Sequence, residues 1–85
     1  MMPEKMKVGV ITRYFAKISV AAIMLESKLT AGDKIRIEGA TTNFEQKVDS
    51  MQLDQKPIKL GNPGQEIAIK VKDRVRENDV VFVIK

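Results

Sequence analysis

The sequence predicts an all-β fold, a single six-stranded antiparallel β-barrel, from three features of its 85 residues. Apolar and polar residues alternate with a period of two through residues 33–39 and 66–72, which turns every second side chain toward a core. Residues 79–84 form a β-branched run too short for a helix. Short turns bearing glycine or asparagine separate such runs, and a closed barrel removes the exposed edges that strands would otherwise leave. One domain over residues 1–85, with its core between about 7 and 84, is expected, because a chain of this size buries roughly 64% of its surface and supports one core.

The first element, residues 6–14, changes apolar phase between Val8, Val10 and Ile11. Together with Gly9 this predicts a bulge or a close backbone approach. Residues 18–29 admit two readings. Ile18, Ala21, Ala22, Leu25 and Leu29 fit a helical stripe, whereas the flanking strands and the lack of a cap before Val20 favour a strand. Residues 33–39 place Ile35 and Ile37 inward and Lys34, Arg36 and Glu38 outward. Residues 44–53 read as one long strand with Phe44 and Val48 in one phase and Met51 and Leu53 in the other, as at a barrel corner. The turn at 30–33 immediately precedes the strand at 33–39, and those at 62–65 and 76–79 precede the last two strands, with Gly32, Gly64 and Asn78 as left-handed residues. The expected core is Val8, Ile11, Ile18, Val20, Ile23, Leu25, Ile35, Ile37, Phe44, Val48, Ile67, Ile69, Val71, Val80 and Phe82.

Composition narrows the chemistry. With no cysteine and no histidine the chain has no disulfide, no thiolate nucleophile, no imidazole base and none of the usual zinc ligands except carboxylates. Its 11 acidic residues are scattered among opposite charges, so no active site is nominated and no enzyme, metal or cofactor is expected. Residues 61–64 are glycine-rich but lack the following Lys-Ser or Lys-Thr of a phosphate loop, and read as a turn. The longest apolar stretch, residues 20–25, is too short to span a membrane. Without a secretory signal at the N-terminus, a cytoplasmic setting with no membrane partner is expected.

Net charge is +4. Lys70, Lys72, Arg74 and Arg76 recur at every second position, opposite Val71 and Val75, and read either as a solvated outer face or as a ridge that contacts phosphates. Lys34 and Arg36 form a shorter outward pair. Lys5, Lys7, Arg13 and Lys17 gather around the first hairpin as secondary candidates, with Tyr14 and Phe15 at its tip, either closing the barrel end or stacking on a base.

Val8-Gly9-Val10-Ile11, residues 19–25, Leu29-Thr30-Ala31-Gly32-Asp33-Lys34-Ile35, Ser50-Met51, residues 63–69 and Asn78-Asp79-Val80-Val81 resemble, in order, the β-barrel second domain of translational GTPases such as elongation factor Tu and initiation factor 2. The chain is most similar to their small stand-alone elongation factor-like members, and a similar barrel closes collagenase-like peptidases. Ser19, Ser27, Gln65, Ala68 and Asn78 depart from the pattern at turn and packing positions. The resemblance implies a non-enzymatic module of translation that binds RNA or the ribosome through backbone phosphates, with no nucleotide cofactor. The alternative is an accessory barrel that docks onto an enzyme subunit, its partner then being a protein.

Overall fold

The computed structural model describes residues 5–84. They form ten β-strands and, among the described residues, no helix: β1 (Lys5–Phe15), β2 (Val20–Leu25), β3 (Leu29–Thr30), β4 (Lys34–Glu38), β5 (Asn43–Lys47), β6 (Met51–Leu53), β7 (Lys56–Ile58), β8 (Leu60–Gly61), β9 (Glu66–Lys70) and β10 (Val80–Ile84). Eight strands make one sheet in the order β5-β4-β10-β1-β2-β9-β6-β7, while β3 pairs with β8. Every ladder is antiparallel.

The all-β reading stands, but the closed six-stranded barrel does not: the ladder is open and has eight strands. The cause lies in residues 43–53, which do not run as one bent strand. They break at 48–50, so that β5 pairs with β4 while β6 pairs with β9 and β7. The first and seventh strands of the sheet are thus joined by three residues, which forces the sheet to curl. Val48 holds the corner, donating its N–H to the Asp33 carbonyl at 2.9 Å and accepting the Gly32 N–H at 2.8 Å. At the seam a side chain stands where a rung would be. The Gln46 amide donates to the Lys70 carbonyl at 2.8 Å and accepts the Lys72 N–H at 2.9 Å.

Three turns share one design. In 30–33, 62–65 and 76–79 the first carbonyl accepts the N–H of the fourth residue at 3.0, 3.2 and 3.2 Å. The fourth side chain, Asp33, Gln65 or Asp79, accepts the N–H of the first at 3.0, 2.9 and 2.9 Å. The third residue is left-handed, with φ of 94° at Gly32, 86° at Gly64 and 73° at Asn78. Gln65 therefore does in its turn what an aspartate does in the other two.

β2 is central, paired with β1 on one side and β9 on the other, and these two ladders settle residues 20–25 as strand against their helix propensity. Gly9 sits beside a bulge in β1, and a Cβ there would lie 2.5 Å from the Met24 carbonyl oxygen. The core combines Val8, Ile11, Ile23, Leu25, Ile35, Ile37, Val48, Ile67, Ile69 and Val71, as expected, with Ala21, Leu29, Met51, Val75, Val81 and Val83. Phe44 packs against it half-buried. Four expected core residues lie elsewhere. Ile18 is 62% exposed at the 16–19 turn, and Val20, Val80 and Phe82 face outward in part. Every residue of β10 is apolar, so composition leaves its phase open. Pairing sets it by placing Val81 opposite Gly9 and Ile37.

Candidate functional site

Residues directly opposite one another in an antiparallel ladder share a face. On the outer face of β1, β2 and β9 one row holds Phe15, Val20 and Lys70, the next Arg13, Ala22, Ala68 and Gln52, and the third Val10, Met24 and Glu66. The rows between them, Tyr14-Ala21-Ile69-Met51 and Ile11-Ile23-Ile67, face the core. β2 is therefore apolar on both faces, a pattern that belongs to strands covered on both sides. Phe15 and Met24 are 45% and 39% exposed.

A groove of ≈ 230 Å³ runs over Ala22 and Ala68, with Arg13 and Phe15 on one wall and Gln52, Asp54, Gln55 and Glu66 on the other. A second β1 bulge, between Ile11 and Arg13, lets Thr12 reach this face, where its hydroxyl donates to Glu66 Oε2 at 2.8 Å. A wider groove of ≈ 580 Å³ lies between residues 31–32, 48–52 and 57–59. Among the described residues no group of three or more carboxylates is placed to hold a metal ion.

The outer face of β10, β4 and β5 is built differently. Val80, Phe82 and Ile84 also point outward there, but a charged side chain lies over Phe82 and ion pairs run along the neighbouring strands. The Lys5 ammonium stands 4.5 Å from the centre of the Phe82 ring and 2.5 Å from Glu38 Oε2. Arg36 contacts Glu38 at 3.0 Å and Glu45 at 2.7 Å, and Lys34 reaches Glu45 at 3.2 Å. The Lys5 hydrogen bond, with Arg36 beside it, holds the Glu38 carboxyl below its ordinary value. Lys34 first and then Arg36 do the same for Glu45. Lys7 pairs with Glu26 at 3.1 Å.

Of the cations singled out in the sequence, Lys5, Lys7, Lys34 and Arg36 are thus engaged within the fold. Lys70, Lys72, Arg74 and Arg76 are exposed and alternate with buried Val71 and Val75. None of these four, nor Arg13 or Lys17, enters an ion pair among the described residues, although Asp73 and Glu77 interleave the ridge. The Lys72 ammonium lies 6.0 Å from the Phe44 ring. Tyr14 packs against the core half-buried, leaving Phe15 and Ile18 as the exposed large apolar residues of the hairpin tip. The apolar outer face is absent from the sequence-based candidates, and its signal in the sequence is the six-residue apolar run of β2.

No family model matches the chain. It is 37% identical over 83 residues to an uncharacterized protease of Methanocaldococcus jannaschii, a match that covers 96% of this chain and 20% of that protein. It is 36% identical over 81 residues to a collagenase of Porphyromonas gingivalis, covering 93% of this chain and 20% of that one. The chain thus spans about a fifth of the length of the curated relatives it matches. Among solved structures, the C-terminal domain of a Geobacillus thermoleovorans protein described as a U32 peptidase superposes with a TM-score of 0.86 at 18% identity, over 89% of this chain and 96% of that domain. A second structure of the same domain gives 0.85 at 18% identity, over 89% of each chain. At that identity the likeness establishes the fold. These relatives overturn the translation-factor resemblance and give no support to RNA or the ribosome as a partner. The resemblance rested on the Leu-x-x-Gly-Asp-x-Ile turn and its two repeats, which are structural devices, and a fold does not carry a function with it.

Proposed function

We propose that this chain is a non-catalytic β-module that docks onto a peptidase-type catalytic body, carried by the same polypeptide or by another. The observation that supports it most is one of proportion: nearly the whole chain matches a fifth of proteins named as a protease and a collagenase. The part matched is small, all-β and built around one core, as a unit that contributes surface rather than chemistry would be. Hydrolysis then belongs to the body, and the module supplies contacts that position or stabilise it.

The test is a graft. In the P. gingivalis collagenase the matching fifth is replaced by this chain, and unfolding is followed by calorimetry beside the isolated 85-residue chain. The expected result is a module that unfolds at higher temperature in the graft than alone, together with collagen hydrolysis by the graft and none by the isolated chain. A module that melts at the same temperature in both settings, or an isolated chain that cleaves collagen, contradicts the proposal.

A further inference from the structure

The two halves of the outer sheet surface differ in what covers their apolar residues. Over β10 the chain covers them itself, with Lys5 above Phe82 and an ion-pair chain running through Glu38, Arg36, Glu45 and Lys34. Over β1, β2 and β9 the described residues place no such ion-pair chain, and of the apolar residues there only Ala22 is buried. Phe15 and Met24 stand open to solvent with Val20, Ala22 and Ala68 between them, and Ile18 projects at the tip with 62% of its surface exposed. Solvated strand positions ordinarily alternate to polar residues, and a contiguous apolar patch with a polar rim marks an interaction surface.

The rim identifies the occupant. Arg13, Lys17 and Lys70 border the patch on the side of Phe15 and Ile18, exposed and in no ion pair among the described residues. Lys72 and Arg74 continue the row, because Val71 donates its N–H to the Ser19 carbonyl at 2.9 Å and so joins the ridge to the hairpin tip. On the opposite wall stand Asp54 and Glu66, the latter already accepting from Thr12. A floor of two alanines admits a bulky side chain from outside, and the excess of cations selects a surface with carboxylates at its edge. The relatives supply the remaining constraint, since in each the matched part belongs to a protein about five times its length.

We infer that the outer face of β1, β2 and β9, centred on Phe15, Ala22, Met24 and Ala68, is the surface by which this module seats on the catalytic body, and that the body presents an apolar residue to the alanine floor and carboxylates to Arg13, Lys17 and Lys70. This rests on the docking role proposed above and gives it a location and a chemistry. The basic ridge becomes the rim of the interface rather than a site of its own.

The graft separates the two claims. Met24→Glu and Phe15→Ser are made in the isolated chain and in the graft; both positions are exposed, so the isolated variants should melt within a few degrees of the parent. In the graft each substitution should return the module's melting temperature to that of the isolated chain, and the charge reversal Arg13→Glu with Lys70→Glu should do so in part. A parent graft with no elevation overturns the docking role itself. An elevation that survives Met24→Glu and Phe15→Ser leaves docking intact and overturns its placement on this face. Should sedimentation of the isolated chain reveal a dimer that Phe15→Ser dissolves, the occupant is a second copy and the inferred partner is wrong.

Discussion

Phe82, in the middle of β10, and Phe15, the last residue of β1, both point outward from the sheet and meet opposite fates. Phe82 lies under the Lys5 ammonium, flanked across the ladders by Lys7 and Arg36. Phe15 is 45% exposed, with Val20 as its cross-strand neighbour. The difference follows from which residue types the adjoining strands carry. β4 and β5 offer Lys34, Arg36, Glu38 and Glu45 outward, close enough to pair and long enough for their stems to lie across apolar neighbours. β2 offers Val20, Ala22 and Met24 outward, and on β9 the outward charges Glu66 and Lys70 enter no ion pair among the described residues. A fold of this size can shield an outward aromatic with its own charged side chains, so a half left bare reads as a surface that something else completes.

The comparison breaks first if the two halves do not rest on one interior. Ile37 lies beneath the shielded half and Ile69 beneath the bare one, both fully buried. Truncating either to alanine should cost about 2–5 kcal/mol in denaturant unfolding, and by similar amounts. A loss under about 1 kcal/mol at Ile69 alone would mean the bare half is loosely packed rather than a finished surface.

A smaller effect is expected at the seam between the halves. Gln46→Ala removes the amide that serves the Lys70 carbonyl and the Lys72 N–H and should cost about 1–2 kcal/mol, most of it from leaving those groups poorly partnered. Unchanged stability would show that water replaces the amide without loss.

The outward aromatics sharpen the contrast directly. Phe82→Ala should destabilise by about 1–2 kcal/mol, since the ring is partly buried and carries the Lys5 contact. Phe15→Ala should stay within about 0.5 kcal/mol in the isolated chain. Equal losses at both positions would erase the distinction on which the docking face rests.

The least effect comes from acid. Glu38 and Glu45 are held below the ordinary carboxylate range by Lys5, Lys34 and Arg36. A depressed folded-state value stabilises at pH above the unfolded value and is lost as pH falls through the folded one. Stability should therefore decline slightly as pH drops below about 4, and Glu38→Gln with Glu45→Gln should flatten that decline. A parallel decline in the double variant would mean that the pairs do not persist in solution.

How legible this was from sequence depends on the element. The strands at 34–38 and 66–70 could be read because alternation states both the period and the phase. The turns could be read because Gly32, Gly64 and Asn78 sit where a left-handed backbone is needed. β10 could be placed but not oriented, and β2 neither settled as strand nor oriented, since a run with apolar residues in both phases gives no inward side; Val80 and Phe82 of the expected core face outward for that reason. The break at 48–50 depends on which partner each half of the segment finds across the sheet, a long-range fact that local pattern does not contain. Among the candidate cations, spacing alone does not separate Lys34 and Arg36, which both reach Glu45 on the neighbouring strand, from Lys70 and Lys72, which enter no ion pair among the described residues. Only the register supplies Glu45 as the cross-strand neighbour of Arg36.

Hydroxyl-radical footprinting of the isolated chain and of the collagenase graft reads the docking face itself, because Met24 and Met6 are both exposed, at 39% and 49%, and only Met24 belongs to that face. Seating on the body should protect Met24 and Phe15 while Met6 oxidises at the same rate in both. Protection of Met6 with Met24 and Phe15 as reactive as in the free chain would contradict this placement.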